Sequence, residues 1–213
     1  HTATKNIAFL FTGQGSQVSY MGYELYQTQP IFKKYFDECS DILLPSLKSD
    51  LRDIIFNSDS EKLNNTGYTQ PALFVYEYCL AKLWQHIGVE PNWVIGHSVG
   101  EYPAASFARY ISLKDGLQLI NKRAALMQSL PEGGTMAAVM ARSEDIARFT
   151  NNHVEIAALN APLQTVISGE KSHIQDTLKK LKENKIKGRE LIVSHAFHSY
   201  LMDPILDEFA EFA

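Results

Sequence analysis

The sequence predicts an α/β protein in two parts: a larger one built on a parallel sheet, and a smaller α+β subdomain of ferredoxin-like type. Three observations lead there. Two short apolar runs, Ile7-Ala8-Phe9-Leu10-Phe11 and Trp93-Val94-Ile95, each enter a glycine turn and read as buried strands. Helical stretches separate and follow them, the order of an α/β layer arrangement. Beyond residue 128 the elements follow the order β-α-β-β-α-β, the ferredoxin-like signature.

Taken in order, residues 1–6 read as a linker, and the strand at 7–11 is stopped by Gly13 and Gly15. Residues 26–44 carry a broken helical pattern, with Ile31, Tyr35, Phe36 and Cys39 at three- and four-residue spacing. The polar, asparagine-rich stretch 57–68 reads as a loop around a short helix or none. The clearest helix spans 71–87. There Leu73, Tyr76, Leu80, Leu83, Trp84 and Ile87 share a face, Pro71 sits in the opening turn, and Gly88 ends it. Helices at 102–109 and 113–127 follow the second strand. Further on, strands are expected at 134–140, 154–159, 165–168 and 189–193, and helices at 144–151, 171–184 and 204–213. The larger subdomain is expected to comprise 1–127 and 194–213, with 128–193 inserted as the ferredoxin-like unit. Two strands make an incomplete parallel sheet, so the larger part is expected to continue beyond residue 213.

Composition narrows the function classes. With 45% hydrophobic and 21% charged residues the chain is that of a soluble globular protein. A net charge of −4 and a pI near 6.0 argue against nucleic acid or an anionic membrane as partner. No stretch approaches the about 18 apolar residues of a membrane span, and no signal-peptide pattern opens the chain. Cys39 and Cys79 have neither metal-ligand nor redox spacing and read as reduced core thiols, which leads to an expected cytoplasmic location.

The chemistry concentrates in a few motifs. Gly96-His97-Ser98-Val99-Gly100 matches the G-x-S-x-G nucleophile elbow in its strand–turn–helix setting. Glycines flank the serine because a Cβ at either place would strike the neighbouring strand or helix. The Val99 backbone N–H then stands where an oxyanion develops. The bland alternative is a glycine-rich turn with an N-capping serine. Gly13-Gln14-Gly15 is a tight turn, a phosphate loop lacking its lysine, or the source of a second oxyanion N–H. A serine nucleophile needs a base, and His97, His195 and His198 are the candidates. No carboxylate or cysteine stands at ligand spacing to the last two, so no metal is expected. Arg123, near a helix C-terminus, is either a surface arginine or a buried clamp for a substrate carboxylate.

Five stretches then stand in a telling order: Phe11-Thr12-Gly13-Gln14-Gly15-Ser16-Gln17; Asn64 followed by Tyr68-Thr69-Gln70-Pro71-Ala72-Leu73; Gly96 to Tyr102; Arg123 with Leu126-Met127-Gln128; and Ser194-His195-Ala196-Phe197-His198-Ser199. Together they resemble the acyltransferase domains of type I polyketide synthases, and the bacterial malonyl-CoA:acyl carrier protein transacylases are similar. The resemblance runs from Asn6 to the end and implies a large α/β-hydrolase-like subdomain beside the ferredoxin-like one. It implies Ser98 as the acyl-carrying nucleophile, His198 as the base, and the N–H groups of Gln14 and Val99 as the oxyanion hole. It further implies Arg123 as the partner of a malonyl carboxylate, His97 at the substrate, and Phe197 as a bulk that favours malonyl over methylmalonyl. Ala124-Ala125 depart from the Gly-Arg more common after the arginine. No resident cofactor is implied: malonyl-CoA is a substrate, phosphopantetheine belongs to an acyl carrier protein, and a ketosynthase is the expected neighbour. The alternatives are a catalytically impaired docking module and a serine hydrolase.

Overall fold

The computed structural model describes residues 6–57 and 60–213, so most of the linker read at 1–6 lies outside the described residues. The chain divides into two compact units, His1–Gln128 and Ser129–Ala213.

In the first unit, β1 (Ala8–Phe11) pairs parallel to β2 (Trp93–Gly96), in register from Ala8 with Trp93 to Phe11 with Gly96. Between them lie α1 (Tyr23–Thr28), α2 (Pro30–Leu47), α3 (Leu51–Ile55), α4 (Ser60–Asn64) and α5 (Thr66–His86). After β2 a 3-10 turn, Ser98–Gly100, leads into α6 (Glu101–Phe107), followed by α7 (Leu113–Gln128). Phe32, Phe36 and Leu43 of α2, Leu51 and Ile55 of α3, Leu73 and Phe74 of α5, and Leu117 and Ile120 of α7 form the core. Each such side chain contributes about 1.5–3 kcal/mol on burial, and a smaller cluster of Phe11 with Ala81 of α5 and Ala104 of α6 seats the strands on the helices.

The clearest predicted helix ends before Gly88 as expected but begins earlier. It starts at Thr66, which puts Pro71 inside α5 and places the first turn in the stretch read as a loop. Proline denies the Gly67 carbonyl its usual partner; the opening turns are held instead by Thr69 Oγ1, which donates to the Leu63 carbonyl at 2.5 Å. The single apolar face is also not what forms. Residues 69–75 are all buried, while Trp84 and Ile87 are exposed. Packing against both α2 and α7 removes the polar side that an amphipathic pattern requires.

The second unit contains β3 (Gly134–Val139), α8 (Ser143–Ile146), β4 (Val154–Ala161), β5 (Gln164–Glu170), α9 (Lys171–Glu183) and β6 (Gly188–Glu190). A 3-10 turn, Tyr200–Ile205, and α10 (Leu206–Phe212) follow. The sheet is antiparallel in the order β4-β5-β3-β6, which is the ferredoxin-like arrangement. Ile174 and Leu181 of α9 close its core over Ala137, Val139 and Ile167. Residues 194–213, expected with the larger subdomain, group with this unit. Their anchors are the His195 ring on the Leu130 carbonyl at 3.1 Å, the Tyr200 hydroxyl on Glu170 at 2.8 Å, and Ala196 against Gly134. Among the described residues no helix is long and apolar enough to cross a membrane.

Arg52 ties α3 to α2. Its guanidinium meets Asp50 at 2.8 Å, Asp37 at 3.0 Å and Asp41 at 3.1 Å, while Asp50 caps α3 by accepting the Arg52 backbone N–H at 2.9 Å. The guanidinium holds the Asp50 carboxyl below its ordinary value. A depressed folded pKa gives stability that is present above the unfolded value, about 3.9, and lost as pH falls through the folded one. Arg52→Met is therefore expected to cost about 1 kcal/mol at pH 7, a value discounted for partial exposure. In urea unfolding series at decreasing pH, the gap to the parent should close as Asp50 is protonated.

Candidate active site

The first unit carries the serine. Ser98 adopts a left-handed backbone, φ 53°, unusual for a residue with a side chain and characteristic of a strained functional turn. Its flanking glycines are sterically required. A Cβ on Gly96 would fall 2.2 Å from the Glu101 nitrogen, and one on Gly100 would fall 2.4 Å from the Phe11 carbonyl oxygen. The His97 N–H donates to that carbonyl at 2.9 Å, so strand pairing extends into the elbow. Val99 is buried and Ser98 half-buried, while His97 is exposed.

The Gly13-Gln14-Gly15 turn lies against this elbow, since a Cβ on Gly13 would sit 2.7 Å from His97 Nδ1. No helix follows it directly, α1 starting only at Tyr23, so it lacks the helix N-terminus on which phosphate loops rely. Its root is anchored by a residue that sequence reading missed. Glu77 Oε1 accepts the Thr12 backbone N–H at 2.8 Å and the Thr12 hydroxyl as well. Its other oxygen is buried with no hydrogen-bond partner among the described residues. Burial pushes the Glu77 carboxyl above the usual range, and the Thr12 donors offset only part of that.

A chain of side chains links this turn to Arg123. Thr66 Oγ1 donates to Gln14 Oε1 at 3.0 Å and accepts from Gln70 Nε2 at 2.8 Å, and Gln70 Oε1 accepts from Arg123 Nη1. Thr66 and Gln70 are fully buried. Arg123 is half-buried, its guanidinium 5.8 Å from the Tyr102 ring centroid. The surface reading of this arginine therefore fails. Burial lowers its pKa, Tyr102 acts in the opposite direction, and no carboxylate pairs with it among the described residues. Thr66 and Gln70 lie within the 64–73 motif, and their i, i+4 spacing was the available clue. Glu77 had none, because a lone mid-helix glutamate reads as solvated.

The second unit holds the histidines. His195 is buried with both ring nitrogens engaged, Nε2 at 3.1 Å from the Leu130 carbonyl and Nδ1 at 2.9 Å from Ser194 Oγ. A carbonyl only accepts, so Nε2 carries the proton and Nδ1 accepts from the serine. That bonding gives His195 a structural part and removes it as a candidate base. His198 is exposed and left-handed, φ 58°. It is followed by Ser199, whose Oγ donates to the Ala196 carbonyl at 2.7 Å. Phe197 is buried, its ring 5.9 Å from that of His195. Thus Ser98, Val99, His97, Gln14 and Arg123 belong to one unit, and Phe197 and His198 to the other.

A family model described as the acyl transferase domain matches residues 8–212. The chain belongs to this acyltransferase family. It is 41% identical to mycoketide-CoA synthase of Mycobacterium tuberculosis over 212 residues, all of this chain but 5% of that protein. The acyltransferase domain from the second module of the salinomycin polyketide synthase superposes with a TM-score of 0.94 at 43% identity, over 99% of this chain and 50% of that one. The malonyl CoA-acyl carrier protein transacylase of Coxiella burnetii does so with a TM-score of 0.90 at 32% identity, over 98% and 68%. The chain thus spans about half of the salinomycin domain and a small fraction of the curated synthase. Its α/β architecture is that of polyketide synthase acyltransferase domains and their transacylase relatives.

The Glu77 anchor generates a pH-dependent prediction. A carboxyl whose folded pKa is raised contributes most to stability below its unfolded value, about 4.3, and that contribution falls as pH rises through the folded one. Glu77→Gln abolishes this decline. Its thermal midpoint relative to the parent is expected to rise between pH 4 and pH 7. A difference that stays constant would show that the Glu77 proton is not coupled to folding.

Proposed function

We propose that this acyltransferase loads a malonyl unit from malonyl-CoA onto the phosphopantetheine thiol of an acyl carrier protein in polyketide assembly, through an ester on Ser98. The observation that carries this reading is the half-buried Arg123, joined by hydrogen bonds to the oxyanion turn and lacking a carboxylate partner among the described residues. A planar fork held at that place suits the free carboxylate of a malonyl group.

In the proposed reaction Ser98 Oγ attacks the thioester carbonyl while His198 accepts its proton. The N–H groups of Gln14 and Val99 bear the oxyanion charge. Collapse breaks the C–S bond, and the proton held by His198 leaves with the CoA thiol. The carrier thiol then passes its proton to His198 and attacks the ester. The C–O bond breaks and Ser98 Oγ regains the proton, a ping-pong cycle with no net redox change. His97 lines the entry beside Ser98, and Phe197 fills the volume an α-methyl would need. The cycle calls for no resident cofactor or metal. A ketosynthase and further synthase domains are its proposed neighbours, and the free, buried Cys39 and Cys79 fit a reducing cytoplasmic setting.

Intact-mass measurement after brief exposure to malonyl-CoA, with methylmalonyl-CoA and acetyl-CoA in parallel, tests the reading. One malonyl adduct is expected, absent in Ser98→Ala and weak with the other two thioesters. A folded sample that gains no adduct overturns the reading, and turnover to free malonate without carrier loading would favour a hydrolase. Arg123→Ala is expected to lower kcat/KM for malonyl-CoA about a hundredfold while leaving acetyl transfer little changed, as steady-state kinetics with both donors would show.

A further inference from the structure

Three ligand-type side chains of the second unit, none of them part of the proposed acyl transfer, converge on one another: His153, Glu170 and His173. Glu170 ends β5 immediately before α9, and His173 follows at i+3, so both side chains share one side of the helix start. His153 comes from the turn before β4, where Val154 stands opposite Gly169. That approach depends on glycine, because a Cβ at 169 would fall 2.0 Å from the His153 carbonyl oxygen. The two imidazoles stack with centroids 4.6 Å apart and planes 13° from parallel. Glu170 spans them, Oε1 at 3.9 Å from His153 Nδ1 and Oε2 at 3.6 Å from His173 Nε2. The Tyr200 hydroxyl donates to Glu170 Oε1 at 2.8 Å, and the Tyr200 N–H donates to Glu155 Oε2 at 2.6 Å, bringing a second carboxylate close by.

Neither burial nor ion pairing accounts for this arrangement. The three side chains are 41–54% exposed, so as surface charge pairs they add little, and two protonated imidazoles stacked face to face would repel. The donor set and its closeness instead suit a small divalent ion, which would turn the two stacked rings out of their near-parallel arrangement so that both in-plane lone pairs reach it. Bonds of about 2.0–2.2 Å in a tetrahedral site set ligand atoms about 3.4 Å apart, and the three ligand atoms here already lie within 4.8 Å of one another. Side-chain rotations of partly exposed groups close that gap. Two imidazoles and a carboxylate select a borderline ion over a hard one such as Mg2+. The Tyr200 hydroxyl supplies the outer hydrogen bond that orients a ligating carboxylate.

We propose that His153, Glu170 and His173 form a binding site for a divalent ion of the Zn2+ class, with the fourth position left to water. The ion would pin the turn before β4 to the β5–α9 junction and stabilise the ferredoxin-like unit by mass action. The site stands independently of the proposed acyl transfer.

Calorimetric titration of the 213-residue chain with ZnCl2, and with MgCl2 in parallel, tests it, with imidazole resonances followed by NMR. One Zn2+ per chain is expected, with the His153 and His173 signals shifting together and no response to Mg2+. His153→Ala and His173→Ala should each weaken binding at least about tenfold, and Tyr200→Phe by a smaller factor. Glu170→Gln, which keeps the side-chain shape, gives the same answer should an alanine variant misfold. The proposal is overturned if the parent takes up no Zn2+, or if variants folded by circular dichroism bind it as tightly as the parent.

Discussion

Where Gly100 passes the end of β1, its backbone comes so close to the Phe11 and Thr12 carbonyls that an added Cβ would lie 2.4 and 2.7 Å from them. That approach is the constraint on which the rest of the Ser98 region depends. It forces the chain to turn sharply between β2 and α6, and the turn is what holds Ser98 at positive φ. The same approach seats His97 against Gly13, so the two glycine turns occupy one place. A strained serine persists only where its surroundings over-determine it. Here they do so through strand pairing carried one residue past β2 and a helix beginning directly behind the turn.

Charge is handled in the same region by fixed partners. Glu77 gives up solvent to hold Thr12, at the cost of an elevated pKa and one oxygen without a partner among the described residues. Arg123 gives up solvent with Gln70 as its hydrogen-bond partner among the described residues and Tyr102 nearby. A stability-driven design would pair these two or expose them, since removing solvent from a charge costs several kcal/mol. Keeping them apart, one at the Gly13–Gly15 turn and one at the far end of the Thr66–Gln70 chain, is the arrangement that the proposed malonyl reading calls for. Because Gln70 contacts Arg123 and Thr66 contacts Gln14, the orientation of the arginine and that of the turn are set by one continuous network.

Much of this was legible in the sequence, for identifiable reasons. The strands at 8–11 and 93–96 were visible as apolar runs into glycine, and the ferredoxin-like order followed from alternating periodicities. The Ser98 elbow was legible because its steric demand leaves glycines at fixed spacing. The start of α5 was not, since Asn65, Thr66 and Gly67 look like loop residues until Thr69 and Gln70 turn their polar groups inward. Arg123 stayed ambiguous because burial of a helical arginine depends on tertiary packing, and in the structure it lies within α7 ahead of the last turn. Glu77 and the His153–Glu170–His173 cluster were invisible for a related reason. Their meaning arises from contacts between elements remote in sequence, which no local spacing records.

The two histidines of the Ser194–Ser199 stretch stand in contrasting surroundings. His195 is buried, and its Nε2 proton is committed to the Leu130 carbonyl while Nδ1 is committed to Ser194. Its ring fastens the chain to the segment ahead of β3. Three residues on, the backbone turns left-handed and presents His198 to the surface. Ser199 holds that turn in place by bonding back to the Ala196 carbonyl. The role proposed for His198, taking and releasing a proton, calls for an exposed imidazole carried by a firmly seated neighbour. Identical side chains thus come to opposite surroundings, one buried with both ring nitrogens engaged and one exposed, through burial and backbone conformation.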